Sequence, residues 1–121
     1  MTERREACEH QEPLQRVQYD DWTLAFRLSE DGQLKLVDGY AFKWGLYQRQ
    51  QQIVEVSTVG SSSGSIEISG SLVTVNVDRT ATALIPPGSY TWYLQSIDQG
   101  NVQKTWTPAG LPMLVLPGVQ L

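Results

Sequence analysis

The chain has 121 residues, a mass of 13.5 kDa and a formal net charge of −4, the size of one ordinary domain with a single core. It is 40% hydrophobic with no long apolar run, and it holds 9 Lys/Arg, one cysteine and one histidine. These counts exclude a helical membrane protein, an internal disulfide scaffold, a self-sufficient zinc finger and a basic nucleic-acid binder.

The charge is unevenly placed. Residues 1–39 hold five Lys/Arg and nine Asp/Glu, whereas residues 40–121 hold four of each. The second part is therefore neutral and rich in hydroxyl and amide groups, a surface suited to life docked in an assembly. Residues 1–18 read as a separate charged arm. Glu3, Glu6, Glu9 and Glu12 alternate with Arg4, Arg5 and Arg16, and Pro13 would interrupt any helix begun at Thr2. The arm is expected to be flexible alone and ordered on a partner. Its start, Met1 to Cys8, lacks the apolar core of a secretory signal.

From Asp20 onward the period is two. Trp22, Leu24, Phe26 and Leu28 share one face of a strand that ends in the turn Ser29-Glu-Asp-Gly32. Leu34, Leu36 and Val37 lead to a second turn at Asp38-Gly39. Tyr40, Phe42, Trp44 and Leu46 then alternate with Ala41, Lys43, Gly45 and Tyr47, where Gly45 hints at a bulge or a close backbone approach. A polar connection, Gln48-Arg-Gln-Gln-Gln52, precedes a strand at Ile53–Val56. Gly60-Ser-Ser-Ser-Gly64 is a loop, and strands at Ile66–Ile68 and Leu72–Val77 follow it. Asp78 can cap one helical turn that ends at Pro86-Pro87-Gly88. Ser89–Ile97 is a strand, Asp98-Gln-Gly-Asn101 a hairpin turn, and Val102–Thr107 and Met113–Leu116 the last two strands. Short strands at this spacing predict an all-β fold, a single antiparallel β-sandwich of seven or eight strands over residues 19–121.

Chemistry is hard to place on this pattern. His10 and Cys8 both fall in the arm, with no scaffold to pair them as base and nucleophile. The body carboxylates Glu55, Glu67, Asp78 and Asp98 sit on outward strand positions or at turns, where solubility and capping account for them. The acidic doublets Asp20-Asp21 and Glu30-Asp31 lack the alternating spacing of a calcium loop. Gly60-Ser-Ser-Ser-Gly64 lacks the Gly-Lys-Ser/Thr of a phosphate loop. The expectation is a protein that is not an enzyme and that uses no cofactor and no metal.

Three segments in order resemble a known family. They are Asp21-Trp-Thr-Leu-Ala-Phe-Arg-Leu28 with Asp31-Gly32; Leu36-Val-Asp-Gly-Tyr-Ala-Phe-Lys-Trp44; and Leu84-Ile-Pro-Pro-Gly-Ser-Tyr-Thr-Trp-Tyr-Leu94 with Asp98-Gln-Gly100. Together, over roughly residues 20–117, they resemble the immunoglobulin-like domain of tailed-phage baseplate and receptor-binding-apparatus proteins. The resemblance implies an immunoglobulin-like sandwich that acts as a connector and has no catalytic residues. It implies other tail or baseplate proteins as partners, in three- or six-fold arrangement, with no nucleic acid and no membrane insertion, in the virion. Family members often carry a coiled coil after the sandwich; this sequence has no heptad region, which suits an adaptor subunit whose arm is the extra attachment. Outward-facing Tyr47 and Tyr93, with Trp106 in the penultimate strand, are the candidate interface residues. The alternatives left open are that a second sheet covers one or more of the three, and that the sandwich is a carbohydrate-binding or adhesin-like module. A sugar site would need coplanar aromatics on one exposed face beside polar groups.

Overall fold

Alternation in the sequence becomes two facing sheets in the computed structural model, which describes residues 6–9, 14–59, 63–107 and 110–120. In chain order the strands are β1 (Glu6–Glu9), β2 (Leu14–Val17), β3 (Trp22–Glu30), β4 (Gln33–Leu34), β5 (Ala41–Gln48) and β6 (Gln51–Ser57). Then come β7 (Gly64–Ser69), β8 (Leu72–Val77), the one-turn helix α1 (Arg79–Thr82), β9 (Gly88–Ile97), β10 (Gln103–Thr105) and β11 (Leu111–Leu116). The first sheet runs β1-β3-β8-β7, with β4 on β3; the second runs β2-β11-β9-β5-β6, with β10 on β9. Among the described residues all pairings are antiparallel except β2 with β11, which is parallel. This is an immunoglobulin-like sandwich, as the sequence predicts.

Eight of the eleven strands match the predicted ones; β1, β2 and β4 are additional. Two of these lie within residues 1–18, the segment that the sequence presents as a charged arm. Glu6–Glu9 pairs with β3 in the first sheet, and Leu14–Val17 pairs with β11 in the second. Leu14 is buried and Trp22 donates its indole N–H to the Val17 carbonyl at 2.8 Å, so β2 is fastened to the body by its own core residue. Backbone pairing supplies what this charged, weakly apolar segment lacks in hydrophobic pattern.

The core lies between the sheets. Trp22, Leu24, Phe26 and Leu28 of β3 and Val73, Val75 and Val77 of β8 face Phe42, Trp44 and Leu46 of β5 and Tyr90, Trp92 and Leu94 of β9. The Phe26 and Trp92 rings stack across the gap, centroids 4.7 Å apart at 26°. The Tyr90 hydroxyl donates to the Pro86 carbonyl, closing the corner before β9. At α1 the expected cap is replaced. Asp78 makes no side-chain cap bond; Asp21, just before β3, accepts the Arg79 amide at 2.8 Å and pairs with its guanidinium at 3.2 Å. Among the described residues no helix is long and apolar enough to cross a membrane.

Candidate functional site

The outer face of the second sheet carries a surface of interlocked side chains. In β5 the odd positions Lys43, Gly45 and Tyr47 point outward, and across the ladder Gly45 sits opposite Tyr93 and Tyr47 opposite Thr91 of β9. Gly45 is buried although it faces out, because the Tyr47 ring lies back over it. A Cβ on Gly45 would come within 2.8 Å of that ring. The glycine anticipated as a close-approach position thus makes room for an aromatic rather than for another backbone. In that space Tyr47 meets Tyr93 edge to face, centroids 5.3 Å apart at 89°. Gly110 does the same beneath the other ring: with φ at +72°, it would put a Cβ 2.2 Å from Thr91 Cγ2 and 2.9 Å from Tyr93.

A bulge brings polar groups to this pair. The β5–β6 register jumps between Leu46 and Tyr47, from Val54 to Gln52, leaving Ile53 as the extra residue. Glu55 therefore lies opposite Gly45, and Gln52 opposite Tyr47. The Tyr47 hydroxyl donates to Gln52 Oε1 at 2.9 Å, and Gln52 Nε2 donates to Glu55 Oε2 at 2.9 Å. Lys43 Nζ stands 3.6 Å from that same carboxylate oxygen. On the far side Gln95 Nε2 donates to Thr105 Oγ1 at 3.1 Å. Each exposed contact is weak singly, but together they hold Tyr47, Gln52 and Glu55 in one arrangement.

The turn closing β5 and β6 is strained. Arg49 and Gln50 form a two-residue hairpin with φ of 53° and 66°, the positive pair of a type I′ turn that Asn-Gly ordinarily fills. Holding two non-glycine residues there costs about 1–3 kcal/mol each. With Tyr47, Thr91, Tyr93 and Gln95 they line a shallow cleft of about 540 Å³.

Two of the three candidate interface residues are thus half-exposed and in contact, and the third is not at the surface. Trp106 is 2% exposed. Thr105 pairs with outward-facing Gln95, so its neighbours Lys104 and Trp106 take the inward side beside Ser96 and Leu94. The Trp106 indole N–H donates to Ser96 Oγ at 2.9 Å. Lys104 lies over the Trp106 ring, 4.5 Å from its centroid, and its ammonium reaches Glu30 of the first sheet.

Gln52, Arg49, Gln50 and Gln95 were not singled out from the sequence. The usable signal was the polar run 48–52 joining two alternating strands with no Gly or Asn for so tight a turn. The other candidate groups are not brought together. Glu55 belongs to the tyrosine network, Asp98 accepts from the Gly100 and Val102 amides of its own turn, and Glu67 is exposed on β7. Asp20 and Asp21 stand at α1. His10 and Gly60–Ser62 lie outside the described residues, as does the side chain of Cys8. Among the described residues no group of three or more His, Cys, Asp or Glu could hold a metal ion.

No protein-family model matches the sequence, and no curated protein is similar to it at a significant level. Solved structures do match. CopC from Methylosinus trichosporium OB3b is 11% identical with a TM-score of 0.55, covering 97% of this chain and 99% of that one. An Ig complex of titin and obscurin-like 1 is 12% identical with a TM-score of 0.50, covering 95% and 96%. At these identities the likeness is one of fold, and the immunoglobulin-like fold hosts many functions.

Proposed function

We propose that this chain is a non-catalytic protein-binding module whose docking surface is the outer face of the second sheet, centred on Tyr47 and Tyr93. The observation that carries the reading is the pair itself: two half-exposed tyrosines set edge to face and held by the Gln52–Glu55 network. Preorganised tyrosines with a polar rim are what a protein interface uses as anchors, since little side-chain freedom is lost on docking. The finer reading is a connector in a tailed-phage baseplate, joining receptor-binding or fibre proteins to the tail. Its support is the ordered resemblance over residues 20–117 together with the neutral surface of residues 40–121. The glycan-binding alternative fits less well, because rings at 89° to each other offer no shared plane for a sugar.

Quantitative mass spectrometry of purified tailed particles from the source strain tests the connector. Presence at a copy number divisible by three or six supports it; absence from intact particles overturns it.

A further inference from the structure

We infer that the cleft beside Tyr47 and Tyr93 receives an acidic side chain of the partner protein, with Arg49 as its counter-ion. This rests on the reading of that face as a protein-docking surface and names the chemistry it recognises.

The argument is one of leftover donors. Along this face the charges close to the tyrosines are already matched, Lys43 with Glu55 and Glu55 with Gln52. Arg49 is the charged residue lining the cleft, and among the described residues its exposed guanidinium makes neither an ion pair nor a hydrogen bond. The Tyr93 hydroxyl likewise has no hydrogen-bond partner there, whereas that of Tyr47 is committed to Gln52. Two donors, one of them a permanent cation, belong to residues that line one cleft, and among the described residues no carboxylate lines it. The group that satisfies both is an anion of carboxylate geometry. A protein side chain is favoured over an acidic sugar because the crossed rings make a walled notch rather than a stacking platform. The hairpin adds an independent indication. Arg49 occupies a left-handed position that glycine would take without strain, so its side chain is present at a cost to the fold. Strain of this kind collects where a side chain is used.

Selection of random dodecapeptides displayed against the immobilised protein tests the inference. Enriched peptides should carry Asp or Glu, bind more weakly as salt rises, and lose at least about tenfold in affinity against Arg49→Gln, with Arg49→Lys recovering part of the loss. Arg49→Gly supplies the discriminating variant: it should melt a few degrees higher than the parent while binding no better than Arg49→Gln. Failure to enrich any peptide, enrichment of peptides without acidic residues, affinity unchanged in Arg49→Gln, or binding confined to sialylated glycans on an array would each overturn the inference. The connector reading fails separately. Particles that incorporate Arg49→Gln at full copy number would remove the counter-ion role and leave the connector standing. Particles that lack the parent chain would do the reverse.

Discussion

Phe26 and Trp92 close the sandwich from opposite sheets, their rings stacked at 4.7 Å. Trp92 lies two residues beyond Tyr90, whose hydroxyl bonds back to Pro86, and that is the place of the second cysteine in disulfide-linked immunoglobulin domains. With one cysteine in the chain, the sheets are pinned by aromatic area instead of a covalent bridge, and Trp44 of β5 completes the cluster. Phe26→Ala or Trp92→Ala should therefore cost about 3–5 kcal/mol in urea or guanidinium unfolding. Reducing agent should leave the parent's midpoint where it was. A cost under about 1 kcal/mol for both variants would show that the stack does not hold the sheets together.

Tyr90 gives a pH dependence. Burial raises its phenol above the ordinary 10.0, because the ionised form loses water it cannot recover among core residues. A group whose folded pKa is raised contributes stability that is complete below the unfolded pKa and is lost as pH rises through the folded one. Stability should thus hold to about pH 10 and fall beyond it. Tyr90→Phe should cost about 1–2 kcal/mol at neutral pH through the lost bond to Pro86 and should flatten the alkaline decline. Chemical denaturation at a series of pH values separates the two effects.

The main sandwich was legible because its signal is alternation: Trp22 to Leu28, Phe42 to Leu46 and Tyr90 to Leu94 each put every second apolar residue inward. What escaped was structure made by backbone pairing or by register. Glu6–Glu9 and Leu14–Val17 carry too few apolar residues to announce themselves, yet their amides and carbonyls find a sheet edge. The inward side of Trp106 is not legible because a three-residue β10 is too short to reveal its phase, which is set by Thr105 pairing with Gln95. At the candidate site the tyrosines were readable as outward aromatics. The contact of Gln52 with Tyr47 was not, since only the bulge at Ile53 puts it there.

Trp106 and Tyr93 should separate cleanly by mutation. Trp106→Ala empties a buried site and abandons the Ser96 hydroxyl, so a loss of about 3–5 kcal/mol is expected. Tyr93→Ala removes a half-exposed ring and should shift the melting temperature far less while weakening docking. Thermal melts read beside occupancy in particles, or beside peptide affinity, check both. A comparable loss of stability in the two variants would make Tyr93 a packing residue.

The turn at Arg49 and Gln50 can be relaxed without touching the charge. Gln50 holds a φ of 66°, so Gln50→Gly removes strain at a position where glycine is at ease. The gain should be about 0.5–1 kcal/mol in unfolding free energy, offset in part by the extra freedom glycine has when unfolded. A decrease would mean that the Gln50 side chain contributes more to the folded state than its backbone costs.

Gly45→Ala tests whether the tyrosine arrangement, rather than the presence of tyrosines, makes the docking surface. The new methyl group would stand 2.8 Å from the Tyr47 ring and 3.4 Å from its hydroxyl, so the ring must swing away. It leaves a half-exposed position, and the backbone of Gly45 has no left-handed φ to forbid a side chain. The fold should accordingly survive with a change of about 1 kcal/mol or less, in contrast to the Trp106 variant. Once moved, Tyr47 gives up both its edge-to-face contact with Tyr93 and its bond to Gln52. Docking should then fall about as far as in Tyr47→Ala, although every interface side chain is still present. Side-chain NMR of Tyr47 and Tyr93 follows the displacement directly. Full docking with a displaced ring would mean that the partner selects its own tyrosine geometry, and that the network on this face is not the preorganising element.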